Sequence, residues 1–173
     1  MTRPKMEFGA RGDINPFEHK KLTTYCQQIL PELFSEPPEI TVRALLAKRT
    51  YWEKITLLHA EHHRSPEKPL PRRLFRHYYD VVMLDKKNMT QEALQDNKLL
   101  EDVVRNKSIY FPDKRAQYDR ARIGSLHLYP NEAFIDQLKQ DQKKMVDMFF
   151  DQAPDFDEIM ENIKRIEDML NNV

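Results

Sequence analysis

Apolar side chains recur at helical spacing along much of this chain, and the clearest pattern begins near residue 50. Residues of core type return every three or four positions, as on one face of an α-helix, and the stripe consists of Tyr51, Ile55, Leu58 and His62, with Trp52 and His59 beside it. Thr50 followed by Glu53 matches a capping box. The pattern predicts a helix that begins at Thr50 and ends near Arg64, before a proline.

Four further helices are predicted from the same spacing. Their starts are marked by residues that commonly cap helices or by a proline-rich linker. The predicted helices are one after the linker with the stripe Leu74, Tyr78, Val81 and Val82; one capped by Thr90 and continuing to Val104; one capped by Asn131; and one from about Phe156, where Asp155 and Glu158 form a second capping box.

Strand patterns are few and short. Residues 5–10 and 39–45 are strand candidates, residues 125–129 are a weaker one, and residues 22–33 predict a short helix. The prolines fall mostly between apolar runs and read as breaks between helices. We therefore predict a predominantly α-helical α+β fold, with a small strand-containing segment over residues 1–48 and a helical bundle over residues 49–173.

Composition places the chain among globular proteins. Its 173 residues are 40% hydrophobic and 32% charged, which excludes a disordered tail. No apolar run approaches the ~20 residues that cross a bilayer, and the first residues lack the apolar core of a signal peptide. The single cysteine permits no internal disulfide, so a cytoplasmic location is expected.

The formal net charge is zero, but the charges are unevenly distributed. Residues 151–173 hold seven acidic and two basic residues, so the remainder of the chain is basic. A basic body with an acidic terminal helix permits contact with a polyanion but does not require one.

Lys54 is the most informative polar residue. At about 100° per residue it falls between Leu57 and Leu58, inside the apolar arc of its predicted helix. Its stem could pack on the surface with the amine at the rim. Alternatively, the amine is directed into a cleft, where lysine commonly binds phosphate as a point charge.

Asp80 lies on the flank of the next predicted helix. A surface ion pair with Arg76 or His77, one turn away, would explain it. A role in a site shared with Lys54 would also explain it, because the two helices are neighbours along the chain.

Three histidines, His59, His62 and His63, invite a metal hypothesis, with His77 and Asp80 completing a site from the next helix. The order is not the His-Glu-x-x-His pattern of zinc proteases. His59 and His62 also follow the apolar stripe, which favours packed core histidines.

Basic residues alternate with aromatic ones in two stretches. One contains Arg72, Arg73, Arg76 and His77, and the other spans residues 114–122. In such stretches the basic side chains can bind nucleic-acid phosphates while the aromatic rings stack on bases. A solvated helix face produces the same pattern.

The segments RTYWEKITLLHAE at 49–61, PLPR at 69–72 and RHYYD at 76–80, preceded by MEFGAR at 6–11, resemble the AbiEii/AbiGii-type toxin nucleotidyltransferases of bacterial type IV abortive-infection toxin–antitoxin systems. The resemblance implies a polymerase-beta-like enzyme that transfers a nucleotide from an NTP with Mg²⁺, in some relatives to tRNA. By matching motifs, Lys54 resembles the helical lysine that holds NTP phosphates, and Asp80 resembles the aspartate that follows it. Arg72, Arg73, Arg76 and His77 would assist in phosphate binding.

Two motifs of that family, a Gly-Ser turn and an Asp-x-Asp pair, do not match at the expected place. Gly124-Ser125 and Asp155-Phe156-Asp157 occur after Lys54 rather than before it. Without the paired carboxylates no two-metal site is expected. The resemblance therefore implies the C-terminal, substrate-holding part of such an enzyme, inactive alone, with neither Mg²⁺ nor NTP bound tightly.

Three hypotheses follow. The chain is an incomplete nucleotidyltransferase, a non-catalytic binding module, or a histidine-based metal enzyme. The first two imply an antitoxin, a tRNA or a chain supplying the N-terminal half as partner, and none implies a membrane.

Overall fold

The computed structural model describes residues 13–34, 40–149 and 153–172. The chain divides into two compact units, Met1–Leu46 and Ala47–Val173. The strand predicted at residues 5–10 lies outside the described residues. Helices dominate the structure and a two-stranded sheet lies near its N-terminus, which confirms the predicted α+β class.

The first unit contains an antiparallel hairpin. Strand β1 (Phe17–Leu22) pairs with β2 (Ile40–Leu45), so that Phe17 faces Leu45 at one end of the ladder. Strand β2 confirms the strand predicted from residue 39, whereas no strand was predicted at β1. Helix α1 (Tyr25–Ile29) lies between them, and a 3₁₀ turn, Pro31–Leu33, follows it. A reciprocal capping box between Thr24 and Gln27 explains why α1 begins there.

The second unit is built from six helices over the described residues. They are α2 (Ala47–His62), α3 (Phe75–Asp85), α4 (Met89–Leu94), α5 (Asn97–Tyr110), α6 (Ile135–Lys143) and α7 (Phe156–Asn171). Their apolar faces form one core, and its fully buried members include Tyr51, Trp52, Ile55, Leu58, Phe75, Val81, Val82, Ile163, Ile166 and Leu170. The predicted apolar stripes of α2, α3 and α7 are therefore confirmed.

Helix α2 begins earlier than predicted. It starts at Ala47, so Thr50 lies inside the helix and does not cap it. The Glu53 carboxylate accepts a hydrogen bond from Arg49 Nε at 3.1 Å instead of returning to the backbone. The helix begins almost directly after strand β2 ends, without the predicted capping residue.

The third predicted helix is two helices, α4 and α5. Thr90 does not cap either of them, because its buried hydroxyl donates to Asp85 Oδ1 at 2.5 Å and contacts the Tyr51 hydroxyl at 2.8 Å. Asp96 caps α5 by accepting from the Leu99 amide, and it also pairs with Lys48 at 2.6 Å. The tertiary partner of Thr90 therefore overrode its local capping preference.

The segment at residues 125–129 is not a strand. Its backbone N–H groups donate to side chains instead of to a neighbouring strand: Leu126 to Asn171, His127 to His59, and Leu128 and Tyr129 to Glu167. Buried backbone donors require partners, and here α2 and α7 supply them.

The predicted caps at Asn131 and Asp155 are confirmed. Asn131 accepts from the Ala133 amide at the 3₁₀ turn that leads into α6. Asp155 accepts from the amides of Asp157 and Glu158 at the start of α7. None of the helices in the described parts of the chain is long and apolar enough to span a membrane.

Candidate functional site

Lys54 and Asp80 form an ion pair between two helices. Lys54 Nζ on α2 lies 2.7 Å from Asp80 Oδ2 on α3, and the two side chains are 20% and 38% exposed. Lys54 and Asp80 are therefore close enough to share one site, the second of the two explanations for Asp80. The alternative, in which Asp80 pairs with Arg76 or His77 on its own helix, is wrong. The half-buried pair lies where a ligand could still reach the amine.

His77 lies one turn before Asp80 and is uncharged at neutral pH. Its Nε2 accepts from Arg76 Nε at 3.4 Å, while Nδ1 is buried and has no hydrogen-bond partner among the described residues. Burial, together with the positive charges of Lys54 and Arg76, lowers the pKa of His77 to about 4. A neutral imidazole therefore stands in a positively charged environment.

Lys107 joins this group from α5. Its Nζ donates to the backbone carbonyl of Glu53 at 2.6 Å, which places the amine at the peptide bond leading into Lys54. Burial lowers the pKa of Lys107 to about 8; the Glu53 carboxylate opposes this shift, and the charge of Lys54 adds to it.

Sequence reasoning missed Lys107, although the signal that marked Lys54 was present here too. Lys107 follows Val103 by four positions and Leu100 by seven, so it continues the apolar stripe of α5. We call Lys54, His77, Asp80 and Lys107 the Lys54 group.

Most of the arginines predicted to bind phosphate do not contact the Lys54 group. Arg72, Arg73 and Arg76 are exposed. Arg73 adopts a left-handed conformation (φ 62°) in the turn before α3, and its amide donates to Asp141 Oδ1 at 2.8 Å. Among the three, Arg76 alone contacts a member of the Lys54 group. The assignment of Arg72 and Arg73 to phosphate binding stays a prediction.

A second polar cluster, the His59 group, lies at the C-terminal end of α2 and comprises His59, His62, His63 and His127. Their rings contact one another, with the His62 and His127 centroids 4.8 Å apart in a stacked arrangement. His59 Nδ1 accepts from the His127 amide at 3.1 Å, which leaves Nε2–H to donate to the Gln117 carbonyl at 3.2 Å. His62 Nδ1 donates to the Tyr129 carbonyl at 2.6 Å.

These bonds make the His59 group structural. Burial lowers the pKa of His59 and lowers that of His63 to about 4, so both are uncharged at neutral pH. His59 is fully buried, which agrees with the core interpretation of this residue. The group fastens α2 to the segment at residues 117–129.

The structure gives the metal hypothesis no support. In the described ranges, no group of three or more His, Cys, Asp or Glu side chains is arranged to hold a metal ion. His59 has both nitrogens committed to the backbone, while His77 and Asp80 belong to the Lys54 group instead of completing a histidine site.

The two misplaced motifs have structural roles. The Ser125 hydroxyl donates to the carbonyls of Arg120 and Arg122 and so closes a turn in which Gly124 has a φ of 87°. Asp155 caps α7. Neither pattern contributes a side chain to the Lys54 group.

The arrangement around Lys54 suits an anion. Two amines from different helices lie near one another there: Lys54 is paired with Asp80, while Lys107 bonds the Glu53 carbonyl and the Glu53 carboxylate is bound to Arg49. Such a site can bind and orient a phosphate chain through charge and hydrogen bonding.

The family model described as nucleotidyl transferase AbiEii toxin, type IV TA system, matches residues 2–162. Because the match covers most of the chain, the chain belongs to this family, as its resemblance predicted. Neither a curated protein nor a solved structure matches the chain. Membership of a type IV toxin–antitoxin family implies an antitoxin as partner.

Proposed function

We propose that this member of the AbiEii nucleotidyl transferase toxin family holds the phosphates of an NTP during nucleotide transfer, with Lys54 as the phosphate-binding cation. The observation that carries the proposal is the Lys54–Asp80 pair, which joins α2 and α3 through the two residues that resemble the family's third and fourth motifs. Phosphoryl and nucleotidyl transfer depend mainly on positioning and charge stabilisation, and a fixed lysine supplies both.

Asp80 has a positioning role in this proposal. A lysine has four rotatable bonds, and an aspartate at 2.7 Å restricts where its amine lies. An incoming triphosphate then meets an ammonium that is already oriented.

Binding of an NTP tests the role of Lys54. We expect weak binding by the wild-type chain at low ionic strength, and a loss of at least about tenfold in Lys54→Met, as for removal of a charged hydrogen bond. Lys98→Met is the matched control, because Lys98 is an exposed lysine on α5 outside the Lys54 group. Calorimetry that gives equal affinities for the wild type and Lys54→Met would refute the proposal.

Activation of the attacking hydroxyl and stabilisation of the leaving pyrophosphate need metal-binding carboxylates. In this sequence the Asp-x-Asp pattern follows Lys54 instead of preceding it. We therefore propose that the chain is inactive by itself and works with an N-terminal half that bears the Gly-Ser and Asp-x-Asp motifs.

A labelled-NTP assay with bulk tRNA measures that requirement. The 173-residue chain should transfer no label, and addition of such an N-terminal half should restore a transfer that Lys54→Met or Asp80→Asn removes. Lys54-dependent labelling by the chain alone would show that the catalytic set is complete without a second part.

A second candidate function, a binding module for another protein chain, is favoured by the N-terminal unit. Tyr25, Ile29 and Leu33 recur every four residues, and each is at least 70% exposed. Exposed apolar side chains that recur on one side of a segment favour a protein partner, here the antitoxin or the N-terminal half. The NTP titration separates the two candidates, because a binding module alone would show no Lys54-dependent binding.

A further inference from the structure

Lys107 is a half-buried amine without a charged partner. Its hydrogen-bond acceptor in the described part of the chain is the Glu53 carbonyl, a neutral oxygen that also accepts from the Thr56 hydroxyl at 3.1 Å. The Glu53 carboxylate is held by Arg49, and Asp80 by Lys54. An ammonium carries three N–H donors, so two donors of Lys107 remain available to a ligand.

Burial disfavours the ammonium form of Lys107. Of the nearby charges, the Glu53 carboxylate favours that form and the charge of Lys54 opposes it, and Lys107 and Lys54 both act on His77 of α3. Two lysines and an uncharged imidazole therefore lie near one another on three helices. Desolvation of a buried ammonium costs stability, and a bound anion offsets that cost.

We infer that Lys107 and Lys54 bind one polyphosphate chain together, Lys54 from the side of Asp80 and Lys107 from the side of the Glu53 carbonyl. The inference deepens the proposed function, on which it rests, by assigning a second phosphate-binding cation from α5. The ligand class is a linear polyphosphate, as in the triphosphate of an NTP, because the two amines bond different partners, Asp80 and the Glu53 carbonyl, on different helices. The exposed Lys98 of α5 has no such role.

Binding should be coupled to proton uptake. The pKa of Lys107 is about 8 in the free protein, so about half of the molecules carry an uncharged amine at that pH. A bound polyanion favours the ammonium and raises the pKa, so each binding event draws a proton from solvent onto Lys107 Nζ. At pH 6.5 the amine is already protonated, and the uptake disappears.

Calorimetry with inorganic tripolyphosphate in two buffers of different ionisation enthalpy measures this uptake. At pH 8 we expect the wild type to take up as much as about half a proton more per bound ligand than Lys107→Met does. Protons that the ligand itself gains or loses cancel in this difference between the two proteins. Lys107→Met should also bind at least about tenfold more weakly at pH 6.5. Lys107→Arg, which retains a charge that does not titrate, should bind without the extra uptake, and Lys98→Met should behave as the wild type.

The outcomes separate this inference from the proposed function. If Lys54→Met loses binding while folded Lys107→Met keeps wild-type affinity and proton uptake, Lys107 is not part of the site and the role of Lys54 stands. If the wild type binds no tripolyphosphate, both fail. Circular dichroism establishes that each variant is folded. If Lys107→Met is unfolded, the proton uptake of Lys107→Arg tests the inference instead: uptake equal to that of the wild type would refute it.

Discussion

Helix α2 carries two groups of polar side chains little more than one turn apart, and their bonding differs. Around His59 the rings of His59 and His62 are bonded to backbone groups of the segment at residues 117–129, whereas the buried Nε2 of His63 has no partner among the described residues. Around Lys54 one amine is paired with Asp80, the Lys107 amine bonds a neutral backbone carbonyl, and the buried Nδ1 of His77 has no partner among the described residues. Satisfied polar groups stabilise a fold, whereas unsatisfied ones with like charge are typical of ligand sites.

The comparison also shows why residue type is a poor guide to role. Four clustered histidines suggest chemistry more readily than two lysines do. Yet a histidine whose two nitrogens are both committed to the backbone has no lone pair left for a metal, which is the case for His59. The amines near Asp80 and Glu53 keep donors that a ligand can use.

Replacing His59 should have the largest effect on the stability of the fold. His59→Leu removes two buried hydrogen bonds and leaves the Gln117 carbonyl and the His127 amide without their partner. We expect a loss of about 3 kcal/mol in the free energy of unfolding, measured by urea denaturation. Affinity for tripolyphosphate should be unchanged in the folded fraction. A stable His59→Leu protein with weakened tripolyphosphate binding would reverse the roles of the two groups.

Replacing Lys54 should have the smaller effect on stability. Its ion pair with Asp80 is partly exposed to solvent, and such pairs contribute about 0–1 kcal/mol. Lys54→Met, with its stem packing retained, should therefore unfold within about 1 kcal/mol of the wild type in the same urea series. A loss as large as that of His59→Leu would mean that the Lys54–Asp80 pair serves mainly to hold α2 and α3 together.

Much of the fold follows from periodicity alone. The stripes of α2, α3 and α7 and the cap at Asp155 are local features, and they were predicted correctly. Thr90 and residues 125–129 were not, because their partners, such as Tyr51 and Glu167, come from distant parts of the chain. Local propensity carries no information about such partners.

Part of the candidate site could likewise be predicted from local sequence patterns. Lys54 and Asp80 are visible as polar residues on apolar stripes of adjacent helices, and the family motifs strengthen them. Lys107 is 53 positions beyond Lys54, and its proximity depends on how α5 packs on α2. The same stripe argument applied to α5 would have marked it as a candidate without giving its partner.

A titration of the ¹⁵N-labelled chain with tripolyphosphate at pH 7, followed by amide NMR, tests the central claim most directly. The account predicts that the largest shifts occur at residues 53–54, 77–80 and 107, on three helices, while residues 59, 63, 117 and 127 stay unchanged. Shifts centred on the His59 group, or an unchanged spectrum around Lys54 and Lys107, would contradict it.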